Sequence, residues 1–201
     1  MKQSSITNAQ RDSIINCCAL RDEIDRQILN KTNDERRANG LKPFAPHTKL
    51  HQMAVKHSEQ MLQHHFFSHE NPFNPELRHL VDRLNSVKDD RFAGFRTVGE
   101  NIAMCPTLQG KGMFHVRIEG GVPHYINMKG NEIPLYSVEG FAKSVVDEWM
   151  NSPGHRANIL NPEFEYLGCG CAGYKEHLGD TASIYYYYLT QNFGGGEIVR
   201  Y

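Results

Sequence analysis

Apolar residues along this chain recur first at helical spacing and later at period two. Leu20, Ile24, Ile28 and Leu29 form the first helical set. It closes on Arg36-Arg37 and Gly40, cations that suit a helix C-terminus followed by a residue suited to the left-handed position beyond it. Thr48 can cap a second helix carrying Leu50, Met53, Ala54, His57 and Met61 on one face. Asn74-Pro75 supplies cap and first turn for a third, with Leu77, Leu80, Val81 and Leu84 inward. A fourth fits about 138–150, where Phe141, Val145 and Trp149 stand four apart, and Ser152-Pro153 opens a short helix or turn ended by Asn161-Pro162.

Beyond Pro162 the period changes. Residues 165–175 and 183–193 are rich in Tyr, Phe and Ile, with Gly179-Asp180 in the turn region between them, and predict an antiparallel hairpin. Tyr185, Tyr187, Leu189, Gln191 and Phe193 share one face, and Ile184, Tyr186, Tyr188 and Thr190 the other. Two such faces suit a central sheet between helical layers. The stretch 106–136 is the least regular and reads as a small hairpin insertion, with Phe114, Val116, Tyr125 and Ile126 as candidates to wall a cleft or pack on the sheet edge.

The length of 201 residues fits one domain, 20–201, preceded by an arm or extra helix over 1–19. Lys+Arg 22 against Asp+Glu 23 gives a net charge of -1, which speaks against bulk electrostatic binding to nucleic acid. No apolar run reaches the ~18 residues of a membrane span. The N-terminal stretch lacks the apolar core of a secretory signal. Cys17, Cys18, Cys105, Cys169 and Cys171 make an odd count without a disulfide framework. Cys169 and Cys171, two apart in a predicted strand, read as small buried side chains rather than zinc ligands, whose usual spacing is wider.

Four segments gather titratable groups beside Gly and aromatic residues: 64–72, 99–102, 149–156 and 191–196. Their order resembles the CAP superfamily of cysteine-rich secretory proteins, antigen 5 and class 1 pathogenesis-related proteins, in its bacterial SCP-like form. The matching motifs are Asn33, Arg36, Gly40 and Leu41 in N-x-x-R-x-x-x-G-L, then F-F-S-H at 66–69 and G-E-N-I-A at 99–103. W-M-N-S-P-G-H-R-A-N-I-L at 149–160, L-G-C-G at 167–170 and Y-L-T-Q-N-F-G at 188–194 follow. The resemblance implies an α+β fold, a three-layer α–β–α sandwich with a central antiparallel sheet and an open cleft.

In the family two His and two acidic residues line that cleft. By motif these are His69, Glu100 and His155, while the fourth position, three after the Trp, is Ser152 here. Glu148 is the neighbouring acid, expected to point elsewhere on its helix. The resemblance implies a non-enzymatic binder of a small molecule, lipid, peptide, protein or glycan, secreted as its relatives typically are and active in host or environmental interaction. Two imidazoles can hold Zn²⁺ weakly, with His69 and His155 as ligands and Glu100 fixing a tautomer. No cofactor is required. The alternative is a hydrolase, protease or esterase, in which Ser152 attacks, His155 takes its proton and Glu100 orients the ring. Helix capping explains Ser152 equally well, and neither a G-x-S-x-G elbow nor an H-E-x-x-H helix is present.

Overall fold

The computed structural model describes residues 18–110 and 112–200. The proposed arm therefore lies outside the described residues except for Cys18 and Ala19, which already belong to the first helix, α1 (Cys18–Ala38). There follow β1 (Ala45–Pro46), α2 (Thr48–His64), a single 3₁₀ turn (Pro75–Leu77) and α3 (Leu80–Ser86). Then come β2 (Phe92–Pro106), β3 (Phe114–Glu119), β4 (Val122–Asn127), α4 (Val138–Asn151), α5 (Pro153–Ile159), β5 (Tyr166–Leu178) and β6 (Ala182–Val199).

The central sheet has the order β1-β5-β6-β2, antiparallel apart from the short β1–β5 pair. Alternation along β6 explains the layers. Tyr185, Tyr187, Leu189 and Phe193 enter one core with Ile24 and Ile28 of α1 and Phe141, Val145 and Trp149 of α4. On the opposite face Tyr188 packs with Met61 and Ile102, and Leu50 and Met53 of α2 pack with Leu84, Phe92 and Phe95. The three-layer α–β–α arrangement expected from the sequence is the observed one.

The L-G-C-G motif sets the depth of α2. A methyl group on Gly168 would collide with the backbone of Leu50 and His51, and one on Gly170 with that of Ala54 and Val55. The helix thus rests on the bare backbone of β5. Cys169 and Cys171, between and beyond those glycines, point to the other side and are buried free thiols, and Cys105 is buried as well. Asn33 and Arg36, from the first motif, hold loops together: Asn33 brackets Phe44 through its N–H and C=O, and Arg36 donates to the carbonyls of Lys42, Ile159 and Asn161.

Several boundaries differ from expectation. The N-cap of α2 is His47 rather than Thr48, which is the first helical residue. Asn74 does accept the N–H of Glu76, but only a 3₁₀ turn follows. The chain restarts at His79, whose side chain and Asp82 form a reciprocal capping box. This break rotates Val81 out to 54% exposure, whereas Leu77 and Leu84 are buried. The 106–136 insertion is a hairpin, turned at Gly120-Gly121 with both φ positive, as a two-residue loop between twisted strands requires. Tyr125 and Ile126 are buried. Tyr125 packs with Leu108 and Ile184 and donates its hydroxyl to Ser183 O, so this residue fastens the hairpin to the sheet edge.

Candidate functional site

The cleft runs along β2, the edge strand of the sheet, between the two helical layers. One wall is the loop 67–70 after α2. The floor is Ile102–Cys105, and the other wall comes from the end of α4 and from α5, with Glu148, Ser152 and His155. The hollow measures about 890 Å³. Two asparagines place the far wall: Asn101 donates to His155 O, and Asn158 donates to Glu100 O and to Asn101 Oδ1. The G-E-N and H-R-A-N-I-L motifs are therefore one bonded unit joining α5 to β2.

His69 and His155 both line the hollow, whereas Glu100 lies behind His69, 8% exposed. Its Oε1 accepts from His69 Nδ1 at 2.9 Å, and its Oε2 accepts from Arg83 Nη2 at 2.6 Å. Asn192, with its amide oxygen turned to the Ala54 N–H, donates to the same Oε2 at 3.1 Å. Burial alone would push the Glu100 carboxyl up. The His69 bond and the Arg83 guanidinium outweigh it and hold the group below the ordinary glutamate value. Arg83 is itself buried and donates to the carbonyls of His69, Leu77 and Arg78, so one guanidinium fixes both the carboxylate and the loop that carries the imidazole.

With Glu100 ionised, Nδ1–H of a neutral His69 is the donor and the lone pair stays on Nε2. The side chain of His69 is 55% exposed, so that nitrogen is available to the cleft. His155 is pushed below the ordinary histidine value by burial and by the nearness of His69, which keeps it neutral near pH 7. His57, also close to Glu100 at 3.9 Å, has a different part. It is fully enclosed, donates Nε2–H to Ser68 O at 3.0 Å, and burial takes its pKa down to about 4. It braces the loop before His69 as a neutral spacer.

The serine triad is not assembled. Among the described residues no hydrogen bond joins Ser152 Oγ to His155, and the carboxylate of Glu100 is committed to His69 and Arg83 rather than to His155. Ser152 stands at the N-cap of α5 by its backbone, Arg156 N–H donating to Ser152 O, while its side chain makes no capping bond. Glu148, expected to point away, in fact lines the cleft, with the Cys105 thiol 3.7 Å from Oε2. Among the described residues no group of three or more His, Cys, Asp or Glu is gathered to hold a metal. Two imidazoles fit an ion only as an open site whose other positions are filled by water or ligand.

The profile of CAP, the cysteine-rich secretory protein family, matches residues 29–193. The chain belongs to that family. An uncharacterized protein YkwD of Bacillus subtilis is 30% identical over 146 residues, 73% of this chain and 41% of that protein. A crystal structure of an extracellular protein with an SCP domain from Bacillus anthracis superposes with a TM-score of 0.56 at 25% identity, over 96% of this chain and 45% of that one. An outer surface protein of Borrelia burgdorferi shares the fold at a TM-score of 0.51 and 15% identity, over 88% of this chain and 94% of its own. The chain thus spans less than half the length of the YkwD and B. anthracis relatives. No helix among the described residues is long and apolar enough to cross a membrane.

Three residues of this CAP site escape motif reading: Arg83, His57 and Asn192 as a partner of Glu100. Signals for two of them existed. His57 is a polar residue amid the apolar face of α2, and Arg83 occupies an i+3 position after Leu80, next to Leu84. A buried charge on an apolar stripe needs a counter-charge, and Glu100 is that group.

Proposed function

We propose that this CAP domain is a non-enzymatic binding module. Its cleft takes a ligand through the ring nitrogens of His69 and His155, and a divalent cation of the Zn²⁺ class is the simplest occupant. One observation carries the reading: His69 is oriented by a buried carboxylate that is itself locked by Arg83. A carboxylate behind an imidazole fixes its tautomer and raises its basicity as a ligand. Bound Zn²⁺ would supply a Lewis-acidic centre with open positions for an oxygen donor of a lipid, peptide or glycan. The extracellular setting given for the B. anthracis relative supports the same setting here, and with it a part in host or environmental interaction.

Calorimetric titration with Zn²⁺ tests this. Expected is one weak site, lowered about tenfold or more by His69→Ala or His155→Ala, the scale on which supporting groups alter metal affinity. Ser152→Ala leaves binding as it was. Zn²⁺ binding indifferent to both histidines, or a Ser152-dependent turnover of an acyl substrate, would overturn the proposal.

A further inference from the structure

The cleft does not end at Cys105. A second hollow of about 740 Å³ continues along the same strand, walled by the β3–β4 hairpin, and shares Met104, Cys105 and Glu148 with the first. Together they form a trench whose floor is the outer edge of β2.

The direction of the backbone groups on that edge follows from their partners. Thr107 N–H donates to Tyr185 O of β6, so the odd-numbered residues just before it face the sheet. The even-numbered ones face outward, as two bonds confirm: Asn158 takes Glu100 O, and Trp149 Nε1 takes Ile102 O at 3.1 Å. Beyond Pro106 the chain's own segment 134–136 takes Thr107 O and Gln109 N–H. Between these two closures the outward groups are Ile102 N–H, Met104 N–H and O, and Pro106 O, on the floor of the trench. The other side of the sheet is finished differently. There the carbonyls of Cys169 and Cys171 on β5 are taken by His51 and Arg21. An uncovered strand edge is a template for another strand.

The trench also has a sign. Its charged lining side chains are Glu70, Glu132 and Glu148, and none of the described lining residues is Lys or Arg. Apolar side chains, among them Phe114, Ile133 and Tyr186, line the second hollow. An extended chain sends alternate side chains to opposite faces, so one set can meet the apolar wall while the other meets Glu148.

We infer that the cleft binds an extended, lysine- or arginine-bearing peptide segment as an added strand on β2 at Ile102–Pro106. The backbone provides the affinity and the acidic, half-apolar trench the selection. The inference rests on the cleft being the binding site, and it names the partner class.

The probe is a labelled, end-blocked octapeptide of alternating lysine and valine, with glutamate and valine as its charge-reversed counterpart, added to the full chain. Binding is followed by fluorescence anisotropy and by amide hydrogen exchange. Expected is saturable binding of the lysine peptide that slows exchange at Ile102 and Met104 about tenfold or more, while Ala103 and Cys105, already facing β6, do not change. Met104→Pro deletes an outward N–H at a position where an edge strand tolerates proline, and weakens the peptide about tenfold, the scale of one lost hydrogen bond. Peptides N-methylated at single positions give a second arm that leaves the protein intact, and binding falls with a period of two. No binding, binding that leaves both amides unprotected, methylation effects without alternation, or equal affinity for the glutamate peptide would each overturn the inference. Zn²⁺ titration of the Met104→Pro protein separates the two proposals, because the imidazole site does not use that N–H.

Discussion

Two carboxylates in this domain are almost equally buried and behave in opposite ways. Glu100, 8% exposed, has Arg83, His69 and Asn192 on its oxygens and stays ionised. Asp25, 6% exposed, lies between α1 and β5 with the Cys171 thiol beside it and His51 Nδ1 3.9 Å from Oδ2, while its Oδ1 has no hydrogen-bond partner. Burial pushes the Asp25 carboxyl up to about 7, against weaker opposing effects of Cys171, His51 and Arg21. Depth alone therefore does not decide charge. Directly bonded partners do, His69 and Arg83 on Glu100, and of these two carboxylates only Glu100 has a guanidinium.

Removing that guanidinium gives the largest expected effect. Arg83→Met makes Glu100 resemble Asp25, a buried acid without its counter-ion, and costs roughly 3–5 kcal/mol in urea unfolding at neutral pH. The loss is smaller in acid, where Glu100 can protonate. Unchanged stability would mean that the ion pair does not carry the carboxylate.

Asp25→Asn acts on the other member of the pair. Its folded-state pKa is raised from 3.8 to about 7. Its contribution to stability is therefore fully present below about pH 4 and is lost as pH rises through 7, because the unfolded chain gives up the proton first. Relative to wild type, the Asn variant gains stability across that window and is ahead by roughly 2–4 kcal/mol above pH 8. Thermal melts at pH 5 and pH 8 check the sign. Asn192→Leu is the smallest change, removing a neutral donor from Glu100 and the acceptor of Ala54 N–H. About 1–2 kcal/mol is expected, and a loss as large as that of Arg83→Met would erase the distinction between neutral and charged partners.

What could be read in the sequence followed from periodicity and short motifs. The spacing of Leu20, Ile24 and Ile28 and the alternation along 183–193 were enough for α1 and β6, because each element turns a regular face to a core. The strand Phe92–Pro106 had no such rhythm. Its residues Glu100, Asn101, Ile102 and Ala103 are all buried in succession, two of them by polar partners, so neither alternation nor hydrophobicity marks a strand there. Motif order pointed to His69, Glu100 and His155, and the two histidines line one hollow with Glu100 beside it. It could not show which imidazole the carboxylate holds, since that depends on where Arg83 stands after the break at His79.

The two bare positions beneath α2, Gly168 and Gly170, have a mechanical consequence. Helices that mesh through side chains can step by a ridge and repack. Here main chain bears on main chain, and a slide of α2 to the next same-face position along β5 would drive it onto Tyr166 or Ala172 instead of a vacancy. The glycines thus act as a key and slot that index α2, and with it His57 and the loop to His69, against the sheet. The walls of the trench can then change length or chemistry while its anchor point stays fixed.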